Sequence, residues 1–265
     1  MITDDPLYQQ IMLPEDESYM VNDYETTKRD LWSIKNHYHD IYEIVLYREM
    51  TGITFLNGNR ENLLDNSILY LPPYCVHGFD ELSHSSNYVM LHISFNFQNR
   101  LPSYPMLLRL TENETTTIES LMNWAKCRES TEDLREQSIK LILTWINNIN
   151  YNDKVEFRSY TTIFKPLLQQ LDRSREYNIS SRDAADLCGM SRSSFLKKFK
   201  THFNTTFHTF LTEKKITEAR YLLGNSQSNC TEVANILGFS DSAHFSRVFK
   251  KVTGTLPKEF QMNNR

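Results

Sequence analysis

The sequence predicts an α+β chain: short strands that close into a small barrel or sandwich, then a pair of helices, then an all-α domain with two helix-turn-helix units. Three observations predict it. Apolar segments with turn residues between them occupy Trp32 to Phe97. Apolar stripes at helical spacing run through Glu112 to Cys127 and Glu132 to Asn150. A pattern around residue 185 returns around residue 234. At 265 residues the chain is long enough for two ordinary domains, each burying a core of its own.

The strands are taken first, within residues 1–110. Tyr42 to Tyr47, Ile53 to Leu56, Ile68 to Leu71 and Tyr88 to Phe97 are rich in β-branched and aromatic residues, and Asn57-Gly58-Asn59 and Pro72-Pro73 supply turns. Many short strands at this spacing suit a barrel or sandwich. The interior of a barrel is the default place for a small ligand. His37, His39, Tyr42, Glu43, Phe55, Tyr70 and His77 are the effector-pocket candidates.

The helical pair spans residues 111–151. In its second helix Leu134, Ile139, Ile142, Leu143, Ile146 and Ile149 fall on one stripe. Such a stripe packs either on its own barrel or on the same helix of a second chain. A homodimer with Ile139, Ile142, Ile146 and Ile149 as its face is what the family resemblance given below implies. Polar residues 152–161 are expected to form a linker.

The domain over residues 162–265 rests on an internal repeat. Asp183-Ala184-Ala185-Asp186-Leu187-Cys188-Gly189-Met190-Ser191 recurs as Glu232-Val233-Ala234-Asn235-Ile236-Leu237-Gly238-Phe239-Ser240. One residue is then inserted, after which Phe195, Phe199, Lys200 and Thr205 answer to Phe245, Phe249, Lys250 and Thr255. Each copy reads as a short helix with a small inner residue, a glycine where the chain reverses, a capping Ser or Asp, and a second helix anchored by two phenylalanines four residues apart. Thr206 to Leu223 reads as one helix between the copies, ended by Gly224. At ~1.5 Å per residue it spans ~27 Å, and with the flanking units it approaches the ~34 Å turn of B-DNA.

Two second helices so spaced would enter successive major grooves of promoter DNA. Their outward residues are the base-contact candidates: Arg192, Ser193, Ser194 and Lys197 in the first copy, Ala243, His244, Ser246 and Arg247 in the second. Lys198, Lys200, Lys250, Lys251 and Lys258 suit phosphates, which fix position without reading sequence. Charge agrees with this division. From Tyr160 onward sixteen basic residues face nine acidic ones, whereas the rest of the chain holds thirteen basic and twenty-four acidic residues.

Ala234 through Phe260, with Gly238-Phe239-Ser240, Phe245-Ser246-Arg247-Val248-Phe249-Lys250-Lys251, Gly254 and Pro257, resembles the signature of AraC/XylS-family transcription regulators. The resemblance covers roughly residues 162–263. It implies seven helices, a rigid linker helix, and promoter binding with recruitment of RNA polymerase. Ser193, Ser194 and Leu196 stand where bulkier hydrogen-bonding residues could, so the first copy is expected to read bases weakly. The order His37, His39, Glu43, Pro72-Pro73 and His77 resembles the cupin-like sensory domain common in that family, which implies a small-molecule or protein effector.

A rival reading uses the same histidines. His37 and His39 alternate along a strand, and with Glu43 and a distant His77 they make a plausible metal set and hence a metal-dependent cupin enzyme. Otherwise they hydrogen-bond within a barrel mouth or touch the effector, and no cofactor is expected. Other enzyme classes lack material: there is no nucleotide-binding glycine loop among only 7 glycines, no nucleophile elbow and no zinc-finger spacing. Cys75, Cys127, Cys188 and Cys230 lie too far apart for a disulfide framework. No run of ~18 apolar residues occurs, and Met1 to Pro14 is acidic and polar. A cytoplasmic protein without a membrane segment is expected.

Overall fold

The computed structural model describes residues 19–23, 32–95, 101–127, 130–148, 155–158, 163–225 and 228–263. The chain divides into two compact units, Met1–Ile163 and Phe164–Arg265. The first is an antiparallel sheet with two helices and the second is helical, so the chain is of mixed α+β class.

Eight strands in the described residues build the sheet: β1 (Tyr19–Asp23), β2 (Trp32–His37), β3 (Tyr42–Leu56), β4 (Asn59–Leu63), β5 (Ser67–Leu71), β6 (His77–Phe95), β7 (Met106–Arg109) and β8 (Val155–Arg158). The hydrogen-bonded order is β1-β6-β3-β5-β7-β8, with β2 added to β6 and β4 to β3. The sequence reading divided β3 into two strands. The observed strand is continuous because Glu49, at φ 54°, and register shifts after Arg48 and Thr51 form bulges that bend the strand without ending its pairing to β6. Val155–Arg158 falls inside the expected linker, yet it pairs with β7 through Met106↔Arg158 and Leu107↔Phe157.

The long β3–β6 ladder runs from Glu43↔Ser94 to Leu56↔His77. Straight strands would hold those ends about 40 Å apart. Instead His77 Nε2 lies 3.1 Å from Glu43 Oε2, so the sheet rolls until its two ends meet. Alternation along β3 and β5 then separates two cores. Val45, Tyr47, Leu69, Leu71 and Leu107 face the inside of the roll, whereas Ile44, Leu46, Ile68, Tyr70 and Leu108 face the helices.

Those helices are α1 (Glu112–Lys126) and α2 (Glu132–Asn148). Thr111 and Glu114 form a capping box at the start of α1, and Arg48 on β3 reaches Glu112 and Glu119 at 2.8 Å each. Ile118 and Met122 of α1 and Ile139, Ile142, Leu143 and Ile146 of α2 pack together on the outer sheet face. The expected dimer face is corrected accordingly: Ile139, Ile142 and Ile146 are each 0 % exposed within their own chain. Periodicity marks an apolar face without saying which surface covers it. Ile149 lies outside the described residues.

The second unit begins with α3 (Lys165–Ser174) and continues as α4 (Ser181–Leu187), α5 (Arg192–Phe203), α6 (Phe207–Asn225), α7 (Cys230–Ile236), α8 (Ser242–Thr253) and α9 (Pro257–Asn263). Gly189 and Gly238 both adopt positive φ, 64° and 66°, and both turns close with the same bonds. Gly189 N–H donates to Asp186 O and Met190 N–H to Ala185 O, as Gly238 does to Asn235 O and Phe239 to Ala234 O. The duplication holds at both ends of the second helices. Ser191 and Asp241 cap the second helices, and Asn204 and Gly254 end them in left-handed geometry.

Candidate nucleic-acid interface

The two second helices, α5 and α8, are held from beneath by phenylalanines. Phe195, Phe199, Phe245 and Phe249 are each 0 % exposed. Because those rings lie four residues apart on one face, the opposite faces turn to solvent. Arg192, Ser193, Lys197, Lys198 and Lys200 are exposed on α5, as are Ala243, Arg247, Lys250 and Lys251 on α8 and Lys258 on α9. Ser194, His244 and Ser246 are half-buried.

Local bonds sort these candidates further. Arg192 donates from Nε to Ser181 Oγ at 2.7 Å, which ties α5 back to the first turn of α4. The His244 ring lies 3.1 Å from Ser240 Oγ through Nδ1 and packs edge-on to Phe239, and the Ser246 hydroxyl donates to Ser242 O. Asp241 accepts from His244 N–H, and that bond with a second from Ser240 holds its carboxyl below the usual range. The side-chain ends of Lys197 and Arg247, in contrast, engage no other side chain among the described residues.

Helix α6 fixes the two copies to each other. Its N-terminal residues Phe207 and Phe210 pack edge-on against Phe199, whereas Ile216, Ala219 and Leu223 enter the core around Phe245 and Phe249. Its apolar residues therefore face two partners. Ion pairs Lys214–Asp172 at 3.8 Å and Arg175–Glu218 at 3.3 Å tie its middle to the α3 side. Lys215 Nζ donates to Asn178 Oδ1 at 2.5 Å, and the Asn178 amide fills the space above Gly238. Sequence reading missed Asn178 and Lys215, since neither periodicity nor motif spacing marks a contact between the start of one copy and the turn of the other.

A test follows from that contact. Ala at Gly189 meets nothing within 4 Å and should cost only the backbone strain of a left-handed residue, about 1–2 kcal/mol. Ala at Gly238 carries the same strain and also displaces Asn178 from Lys215. Its thermal midpoint should therefore fall further, and equal losses for the two variants would contradict the packing described.

The effector-pocket candidates divide. His37, His39 and His77 bring ring nitrogens within 4.8 Å of one another, and Glu43 lies 3.7 Å from His39 Nε2 and 3.1 Å from His77 Nε2. Among the described residues the three histidines form a group that could share an ion, and Glu43 lies beside two of them. Burial, with His77 and His39 alongside, holds His37 well below its usual pKa. Tyr42 and Tyr70 are corrected: they point to the opposite sheet face, toward α1 and α2, where Tyr42 stacks on Phe95. Strand alternation places neighbours Tyr42 and Glu43 on different sides. Phe55 is half-buried and belongs to neither core cluster.

Comparison with known proteins decides what the duplicated unit is. Residues 184–263 match the profile of a helix-turn-helix domain family. HTH-type transcriptional activators named RhaS, from Enterobacter sp. (strain 638) and Escherichia coli O81 (strain ED1a), are each 22% identical over 245 residues, covering 85% of this chain and 86% of theirs. The chain is similar to HTH-type transcriptional activators over most of its length, in keeping with the AraC/XylS resemblance read from the sequence. Solved structures agree in fold. An apo ToxT variant from Vibrio cholerae strain SCE256 aligns with 94% of this chain and 99% of its own at a TM-score of 0.50 and 15% identity. Wild-type ToxT from the same strain, in a structure with an unsaturated fatty acid bound, aligns with 95% and 97% at a TM-score of 0.50 and 14% identity. The matched residues 184–263 run from within α4 through α9 and so take in α5, α7 and α8 of the duplicated unit.

Proposed function

We propose that this chain activates transcription by setting α5 and α8 into successive major grooves on one face of promoter DNA, so that a single chain reads two half-sites. The observation that carries the reading is the duplication itself. Two helices are capped alike, anchored alike by paired buried phenylalanines, and expose Lys197 and Arg247 at their outward faces. Arg247 reads a base and the flanking lysines hold phosphates.

Binding measurements on promoter DNA test it. Arg247→Ala should cost about 1–3 kcal/mol on the natural site and relax preference at one position. Lys250→Ala should weaken all sequences alike and lower the salt slope by about one. A sequence-selective effect of Lys250→Ala, or none from Arg247→Ala, would remove these residues from their assigned roles.

The first unit is read as a cupin-like sensory barrel for a small-molecule or protein effector, and RNA polymerase as the partner recruited at the promoter. The relatives bear names of regulators, and the metal-dependent enzyme reading finds no support among them. In a homodimer the outward face of α2 serves as the joint, where Leu134 and Leu141 stand exposed two turns apart. No helix among the described residues is long and apolar enough to cross a membrane. Action at promoters places the chain in the cytoplasm.

A further inference from the structure

We propose that Leu196 reads a thymine in the first half-site by packing on the 5-methyl group, which this base alone carries into the major groove. The role rests on the promoter-reading function above and names what the first copy recognises there.

Helix α5 turns to solvent a face made of Ser193, Leu196, Lys197 and Lys200, which recur at helical spacing and are all exposed. Leu196 is the one apolar side chain of α5 outside the phenylalanine core, and it is 38 % exposed. A single exposed leucine has no meaning by itself. Its place in the duplication gives it one. The same face of α8 carries Ala243, Ser246, Arg247 and Lys250, so Leu196 stands where the second copy has Ser246, and Lys197 where it has Arg247. Ser246 is half-buried, and its hydroxyl donates to Ser242 O at 2.8 Å. At one register the first copy therefore offers a base a branched alkyl group, and the second a hydroxyl already engaged by its own helix.

The polar residues at the start of α5 turn back on the fold. Arg192 Nε donates to Ser181 Oγ at 2.7 Å, Ser193 Oγ lies 3.3 Å from Ser191 Oγ, and Ser194 is half-buried. Leu196 and Lys197 remain to meet the groove floor. Lysine is a point charge on a flexible stem and discriminates poorly between acceptors. An alkyl group gains contact from the thymine methyl, whereas over cytosine it covers an amino donor without satisfying it. A helix short of hydrogen-bonding residues still selects a base, by apolar contact.

Duplexes selected from a random pool by the full chain supply the probe. They should carry a fixed thymine in the half-site whose preferences do not depend on Arg247. Replacing that thymine with deoxyuridine removes the methyl alone and should weaken binding about fourfold, the equivalent of one buried methyl group. Leu196→Ala should weaken binding to the thymine duplex at least as much, show no difference between thymine and uridine, and keep the wild-type thermal midpoint. Leu196→Met, with its apolar chain, should retain the difference. Equal sensitivity to uridine in wild type and Leu196→Ala, or no sensitive thymine in that half-site, would overturn the role of Leu196 and leave promoter reading intact. A chain that selects no sequence from the pool overturns both.

Discussion

Replacing Ile142 by glutamate is expected to unfold the first unit rather than to release a folded monomer. Ile142, on α2, is wholly buried in the cluster that also holds Ile44 and Ile93 of the sheet and Met122 of α1. Truncation to Ala alone would cost about 2–5 kcal/mol through lost contacts and the cavity left behind. A carboxylate adds a burial penalty. Against a usual domain stability of about 5–15 kcal/mol, the sum removes most of what holds the unit. Urea unfolding followed by circular dichroism checks this. A soluble variant with the wild-type midpoint and half the mass in sedimentation would restore the stripe to an intermolecular role.

Phe199→Ala should be the most damaging truncation in the second unit. Its ring meets those of Phe164 at 5.2 Å, Phe195 at 5.6 Å, Phe203 at 4.3 Å, Phe207 at 5.1 Å and Phe210 at 5.2 Å. Removing a buried Phe costs about 3–5 kcal/mol, and the upper end applies where so many rigid rings cannot collapse into the space. Phe249, its counterpart, meets only Phe245 and Phe260 among the described rings and should cost less. Since Phe207 and Phe210 belong to α6, the damage should reach the second copy, and DNA affinity should fall at both half-sites. Loss confined to the first half-site would show that the copies are independent. Thermal unfolding and footprinting of both half-sites report the two effects.

The duplicated unit was legible in the sequence because its constraints act over a few residues. A glycine is needed where the turn has positive φ, a short polar residue where a helix starts, and a phenylalanine pair where one face is buried. The sheet was less legible. Strand β4 has few apolar residues, β7 has only four residues in all, and β8 lies in a polar stretch, so neither length nor alternation separates them from loop. The gathering of His37, His39, Glu43 and His77 was anticipated from spacing, yet Tyr42 and Tyr70 were wrongly joined to it, because aromatic character alone does not reveal which side of a strand faces inward. The α2 stripe was seen and its partner misjudged. Asn178 against Gly238 could be found only in three dimensions.

Helix α6 has a consequence for the promoter. One continuous rod of 19 residues supplies side chains to both cores, so the two reading helices share a single phase set by its pitch. Adding about five base pairs between the half-sites would turn the second onto the far side of the duplex, where this chain has no means to follow it. If the two helices read half-sites as proposed, single letters within the sites are expected to be exchangeable, whereas an insertion or deletion between them is expected to abolish binding.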